Sequence, residues 1–163
     1  MNLKRKKVLD KLDELKIEYE LVEHPAVKTM EEMAALGIDN PDEVVKNLFL
    51  CDDKKSRYFL VSVPGDKTIN LKDLRDKLSS RPLSFASESR LNIVLGLDRG
   101  EVTPLGILND DEKRVEVIFD KEIRNYKRIG IHPNDNTATI FLSLADLERV
   151  IKEHGNSITY MGD

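Results

Sequence analysis

Residues Val44-Val45-Lys46-Asn47-Leu48-Phe49-Leu50-Cys51 and Tyr58-Phe59-Leu60-Val61-Ser62-Val63 flank the polar run Asp52-Asp53-Lys54-Lys55-Ser56. Two apolar, β-branched and aromatic runs around a polar turn predict a β-hairpin. Side chains alternate across a strand. Val44, Lys46, Leu48 and Leu50 therefore share one face, and Val45, Asn47, Phe49 and Cys51 the other. Each face carries one polar residue among apolar neighbours, and two readings stand. If one face is solvated, its polar residue points to water and the other snorkels to a rim. If both are covered, a lysine and an asparagine sit in apolar layers, and the ammonium needs an acceptor, a lowered pKa or an anionic ligand.

Outward from this hairpin, Val8, Leu9, Leu12 and Leu15 have helical spacing, and residues 19–22 read as a short strand. Thr29 and Glu32 form a capping box for a helix with Met30, Met33 and Ala34 inward and Gly37 as its stop. Asn70 caps a helix with Leu71, Leu74 and Leu78 inward, and Ser87 caps one that ends at Gly96. Ser143 starts another, with Leu147, Val150 and Ile151 inward and Gly155 as its stop. Residues 83–86, 115–119, 129–132 and 138–142 read as strands, and 157–160 as an edge strand. Interleaved helices and strands with hairpin turns predict a mixed α+β domain with antiparallel pairing.

The length, 163 residues, suits a single domain spanning 1–163. With 40% apolar and 34% charged residues, the composition excludes a disordered or low-complexity chain. A net charge of −4 argues against a wide phosphate footprint. Cys51 is the single cysteine, which rules out an intramolecular disulfide and suits a reducing compartment. The polar, basic start and the lack of any long apolar run lead to the expectation of a cytoplasmic protein with no signal peptide and no membrane contact.

Two loops carry further chemistry. Residues 95–106 hold Gly96, Gly100, Gly106 and Pro104, and such a loop can aim backbone N–H groups at an oxyanion; the plain alternative is a glycine-rich turn between a helix and a strand. His132-Pro133-Asn134-Asp135-Asn136-Thr137 puts a histidine at a strand end, suited to positioning water or a hydroxyl, or simply structural. His24, His132 and His154 are far apart in sequence without metal-ligand spacing, so no metal site is expected. Cys51 reads as a buried thiol. The basic runs 4–7 and 124–128 read as solvated faces that could each hold a few phosphates.

Taken in order, Val44-Val45-Lys46-Asn47-Leu48, Phe85-Ala86-Ser87-Glu88, Gly100 with Thr103-Pro104-Leu105-Gly106, and His132 to Ala138 resemble the YbaK/prolyl-tRNA-synthetase-associated domain family, and within it the free-standing Ala-tRNA(Pro) deacylases. His24-Pro25 and the helix start at Thr29 fit as well. The resemblance implies a mixed, barrel-like sheet with surrounding helices, and editing in trans by hydrolysis of a mischarged tRNA(Pro) ester, foremost Ala-tRNA(Pro). It implies that Lys46 holds the tRNA 3′ end, that Asn47 and His132 are neighbouring catalytic-site residues, and that Gly100, Val102, Thr103 and Pro104 form the loop that meets the aminoacyl group. The implied partners are the acceptor end of mischarged tRNA and prolyl-tRNA synthetase, with no cofactor.

An aminoacyl ester is already activated. A positioned water, oxyanion donors and a held 3′ end suffice to hydrolyse it. Two other readings of the same fold are a non-catalytic tRNA- or synthetase-binding module and a small amino-acid sensor. The intact set of Lys46, Asn47, Gly100, Pro104 and His132 favours the enzyme.

Overall fold

The computed structural model describes residues 3–26, 30–35 and 43–162. Its elements run α1 (Leu3–Glu14), β1 (Glu20–Glu23), α2 (Met30–Ala35), β2 (Val45–Asp52), β3 (Tyr58–Pro64), α3 (Leu71–Leu78), β4 (Leu83–Phe85), α4 (Glu88–Leu95), β5 (Val115–Asp120), β6 (Ile129–Ile131), β7 (Ala138–Leu142), α5 (Leu144–His154) and β8 (Ile158–Met161). The expected cap at Thr29 and stop at Gly37 lie outside the described residues. Asn70, Ser87 and Ser143 cap their helices as their sequence positions imply, each side chain accepting backbone N–H bonds of the first turn.

A five-stranded sheet has the order β4-β2-β3-β5-β8, and a three-stranded sheet the order β1-β7-β6. The hairpin β2–β3 is antiparallel in the register Asn47↔Ser62. The hairpin and its neighbours pair antiparallel as the turns imply, while β3–β5 and β5–β8 are parallel, so the larger sheet is mixed. The chain between each of the parallel pairs includes a helix, which gives the long crossover that parallel neighbours need. The barrel-like character takes the form of two sheets meeting at the Val44–Gly130 bridge, and the described strands do not close into a full barrel. At that junction a Cβ on Gly130 would lie 2.6 Å from the Phe141 ring and 3.1 Å from Val44, so only glycine lets the sheets approach this closely.

Both faces of β2 are covered from Phe49 to Asp52, while Lys46, Asn47 and Leu48 are half-buried. Val45, Phe49 and Cys51 enter the main core with α1, α4 and α5, while Leu50 joins Phe59, Val61, Val63 and Leu74 in a second cluster beneath α3. The hairpin thus falls between the two readings: its far end is covered on both faces, and the half-buried polar residues each have a partner. Lys46 Nζ donates to the Lys67 carbonyl at 2.5 Å, and Ser62 Oγ donates to Asn47 Oδ1 at 2.6 Å.

Two 3₁₀ turns were not legible as elements. Pro104–Asn109 is one, with Thr103 as its cap, and Lys121–Asn125 is the other. The basic runs are also more than solvated faces. Lys4, Arg5 and Lys7 pair with Glu101, Asp135 and Asn109, and Arg128 pairs with Glu20 and Glu43. Arg124 lies over the Tyr160 ring at 3.9 Å.

Candidate active site

β4 pairs with β2 at three positions only, from Asp52↔Leu83 to Leu50↔Phe85. One more bond follows, from Ala86 N–H to the Phe49 carbonyl, before α4 begins. Among the described residues, no strand continues this pairing along Leu48 and Asn47. An open cleft of about 260 Å³ occupies this edge. Asn47, Leu48 and Phe49 line it from β2, Phe85 and Ala86 from the end of β4, Glu88 and Leu91 from α4, and Arg99, Gly100 and Val102 from the loop. Phe49 and Leu91 are buried, and Val102 packs against the same core, so part of the wall is apolar and fixed.

The Gly100 loop has a defined shape. Gly100 adopts φ +88°, a left-handed conformation that glycine accepts without strain. Glu101 Oε1 accepts from the Asp98 N–H and from Lys4 Nζ, each at 2.8 Å, which closes the turn and ties it to α1. Thr103 and Pro104 are buried. Thr103 Oγ1 accepts the Leu105 N–H. These two residues frame the loop, while Gly100 and Val102 face the cleft.

The sequence candidates thus separate. Asn47, Gly100 and Val102 come together in the cleft wall. Lys46 occupies the opposite face of β2, and neither it nor His132, which the resemblance places beside Asn47, belongs to the wall. Phe49, which alternation puts on the Asn47 face, also lines the cleft. The side chains of Met30 and Met33 lie outside the described set. Phe85, Leu91 and Arg99 are lining residues to which the sequence assigned no role. The break in pairing after Phe85 creates their site, and only the Phe85-Ala86-Ser87-Glu88 motif pointed to it.

His132 is mostly buried beside a second histidine. The rings of His24 and His132 lie 6.1 Å apart, despite their separation in sequence. His132 Nδ1 is 2.8 Å from the Ala138 carbonyl. That oxygen can only accept, so Nδ1 carries the proton and Nε2 of the neutral ring is left as an acceptor. Burial lowers the His132 pKa first; the Ala138 bond opposes this, and the charge of His24 adds to it. By the same logic His24 Nδ1, 2.8 Å from the Pro25 carbonyl, carries the proton, and its Nε2 accepts from the Thr139 hydroxyl at 2.9 Å.

Two sheets, with a cleft at an open strand edge walled in part by a glycine loop, define the fold and its candidate site. Residues 24–150 match the aminoacyl-tRNA editing domain. The chain is 51% identical over 150 residues to the "Prolyl-tRNA editing protein ProX" of Acetoanaerobium sticklandii, covering 92% of each chain. It is 38% identical to "Prolyl-tRNA synthetase associated domain-containing protein 1" of Danio rerio, covering 91% of this chain and 82% of that one. Among solved structures, the fold matches a candidate trans-editing enzyme for prolyl tRNA synthetase with a TM-score of 0.73 at 19% identity, covering 100% of this chain and 99% of that one. The chain belongs to the aminoacyl-tRNA editing domain family, and with it to the aminoacyl-tRNA deacylases.

Proposed function

We propose that the chain, acting over 1–163 as one editing domain, hydrolyses the ester of mischarged tRNA(Pro) in trans, with Ala-tRNA(Pro) preferred. The cleft at the open β2 edge carries this reading. It is small, its buried wall includes Phe49 and Leu91, and Arg99, Gly100 and Val102 of the glycine loop line it. The name of the Acetoanaerobium sticklandii relative supports prolyl-tRNA editing. Mischarged tRNA is the partner, presented by its acceptor end in the cytoplasm, with prolyl-tRNA synthetase upstream as the source of the error.

In this reading the alanyl methyl group enters the apolar wall, and the backbone N–H groups of Gly100 and Val102 meet the ester carbonyl, where negative charge develops, while the Glu101 N–H donates to the Asp98 carbonyl within the loop. Asn47, anchored by Ser62, orients the ester or the attacking water. Lys46 exchanges the Lys67 carbonyl for an oxygen of the 3′ terminal nucleotide. His132 keeps its turn in place and offers an acceptor at Nε2. Thr103 and Pro104 hold the loop. The ester needs no covalent intermediate, since water attacks the carbonyl carbon and the ribose hydroxyl leaves.

The test is deacylation of Ala-tRNA(Pro) by the wild type and by Lys46→Ala. The wild type hydrolyses the ester, and the variant loses activity by orders of magnitude while its melting temperature falls little, because it gives up one half-exposed hydrogen bond of about 1 kcal/mol. A Lys46→Ala variant with near-normal activity contradicts the assigned role. No hydrolysis by the wild type, with tight binding of tRNA or free alanine, would favour a binding module or a sensor.

A further inference from the structure

We infer that Phe85 is a stacking platform for the terminal nucleobase of the tRNA substrate, on the face of the sheet edge opposite the aminoacyl pocket. The inference rests on the proposed function and adds to it the place where the nucleoside lies.

Directly opposed residues of antiparallel strands point to the same face. Phe85 opposes Leu50, whose side chain belongs to the cluster beneath α3. Leu48 and Lys46 follow Leu50 on that face by alternation. Leu83, two residues earlier on β4, packs onto this cluster, whereas Phe85 remains 63% exposed at the point where the strand ends. A large aromatic ring left open to water at the rim of a cleft makes a surface for a flat partner.

The cleft wraps around the open edge of β2. Asn47 and Phe49 line it from one face, Leu48 and Phe85 from the other. An aminoacylated 3′ end has the same two-part shape, with a small amino-acid group joined through a ribose to a planar base. The walls of Phe49, Leu91, Val102 and Gly100 suit the small group. The exposed ring of Phe85 suits the base, because stacking on an aromatic side chain is how unpaired bases are commonly held. This division also accounts for Lys46, which is absent from the aminoacyl wall. It shares the Phe85–Leu48 face, where a phosphate or ribose oxygen next to the stacked base would come within reach of its ammonium.

The experiment compares wild type, Phe85→Ala and Phe85→Trp on Ala-tRNA(Pro) and on alanine methyl ester, which has no base. Phe85→Ala is expected to lower kcat/KM on the tRNA by roughly tenfold or more, chiefly through KM, since stacking contributes about 1–3 kcal/mol per base. Phe85→Trp retains the wild-type value. On the methyl ester the loss for Phe85→Ala is much smaller than on the tRNA. Phe85 is exposed, so all three proteins should melt at similar temperatures. A Phe85→Ala enzyme with unchanged KM for the tRNA, or with equal losses on both esters, overturns the platform while leaving the deacylase reading intact. A wild type inactive on Ala-tRNA(Pro) overturns both.

Discussion

Arg5 Nε lies 2.8 Å from Asp135 Oδ2, which ties the first turns of α1 to the turn that follows His132. Asp135 is 2% exposed and also accepts the Thr137 hydroxyl and N–H. Arg5 reaches Thr137 Oγ1 and Glu23 as well. Burial alone would push the Asp135 carboxyl up, but the Thr137 bonds and Arg5 outweigh it and hold the pKa below the usual value. A depressed folded pKa adds stability above the unfolded value, lost as pH falls through the folded one. Arg5→Met leaves this carboxylate short of its counter-charge and should cost roughly 3 kcal/mol at neutral pH. Denaturation followed from neutral pH to below about pH 4 should show a shallower acid loss in the variant; equal stability and equal acid slopes would show that the pair does not hold the turn.

His132 titrates in the other accessible window. Its pKa is lowered by burial first, so the unfolded chain binds the proton more readily. The stability contributed by the neutral ring is present above the ordinary histidine value and is lost as pH falls from about 6.5. The wild type should therefore be less stable at about pH 5.5 than at about pH 7.5, and His132→Asn should reduce that difference. An NMR titration with a midpoint at or above the ordinary histidine value would contradict the assignment.

The hairpin, the helix caps and the strand positions could be read from the sequence because they depend on local signals. Alternation marked β2 and β3, and Asn70, Ser87 and Ser143 marked helix starts. The parallel pairing of β3 with β5 had no local signal, because it depends on which distant strand fills the sheet. The site was legible in part. Lys46, Asn47 and Gly100 stood out as polar or glycine positions in apolar surroundings. The place of Phe85 depends on where β4 stops pairing, and the proximity of His24 to His132 depends on Thr137, whose carbonyl accepts the His24 N–H. The basic run at 4–7 resembled a solvated face because its partners, Glu101 and Asp135, are about a hundred or more residues away.

Gly130 should resist substitution. Phe141 is 2% exposed, and its ring lies in the path of a new Cβ, with Val44 on the other side. Gly130→Ala should destabilise the fold by about 1–3 kcal/mol, the usual range for overpacking. A urea midpoint equal to that of the wild type would mean that the sheet junction has slack.

Affinity for tRNA should depend weakly on salt. The net charge is −4, and the basic side chains at Lys4, Arg5 and Arg128 are engaged by carboxylates. Only a few phosphates near the acceptor end are then neutralised, which gives a shallow slope of log K against log salt. A slope matching an extensive nucleic-acid binder would require a basic surface beyond this one.

The most direct measurement is the rate of deacylation of Ala-tRNA(Pro), Cys-tRNA(Pro) and Pro-tRNA(Pro) under the same conditions. In the proposed reading the alanyl methyl group seats against Phe49 and Leu91, where the larger proline ring would overlap the wall, and relieving such overlap costs about 1–3 kcal/mol. The expected order is alanyl first, cysteinyl next and prolyl last, with roughly ten- to hundredfold between alanyl and prolyl. Prolyl ester hydrolysed as fast as alanyl ester would contradict the central claim that this cleft selects the mischarged amino acid by size.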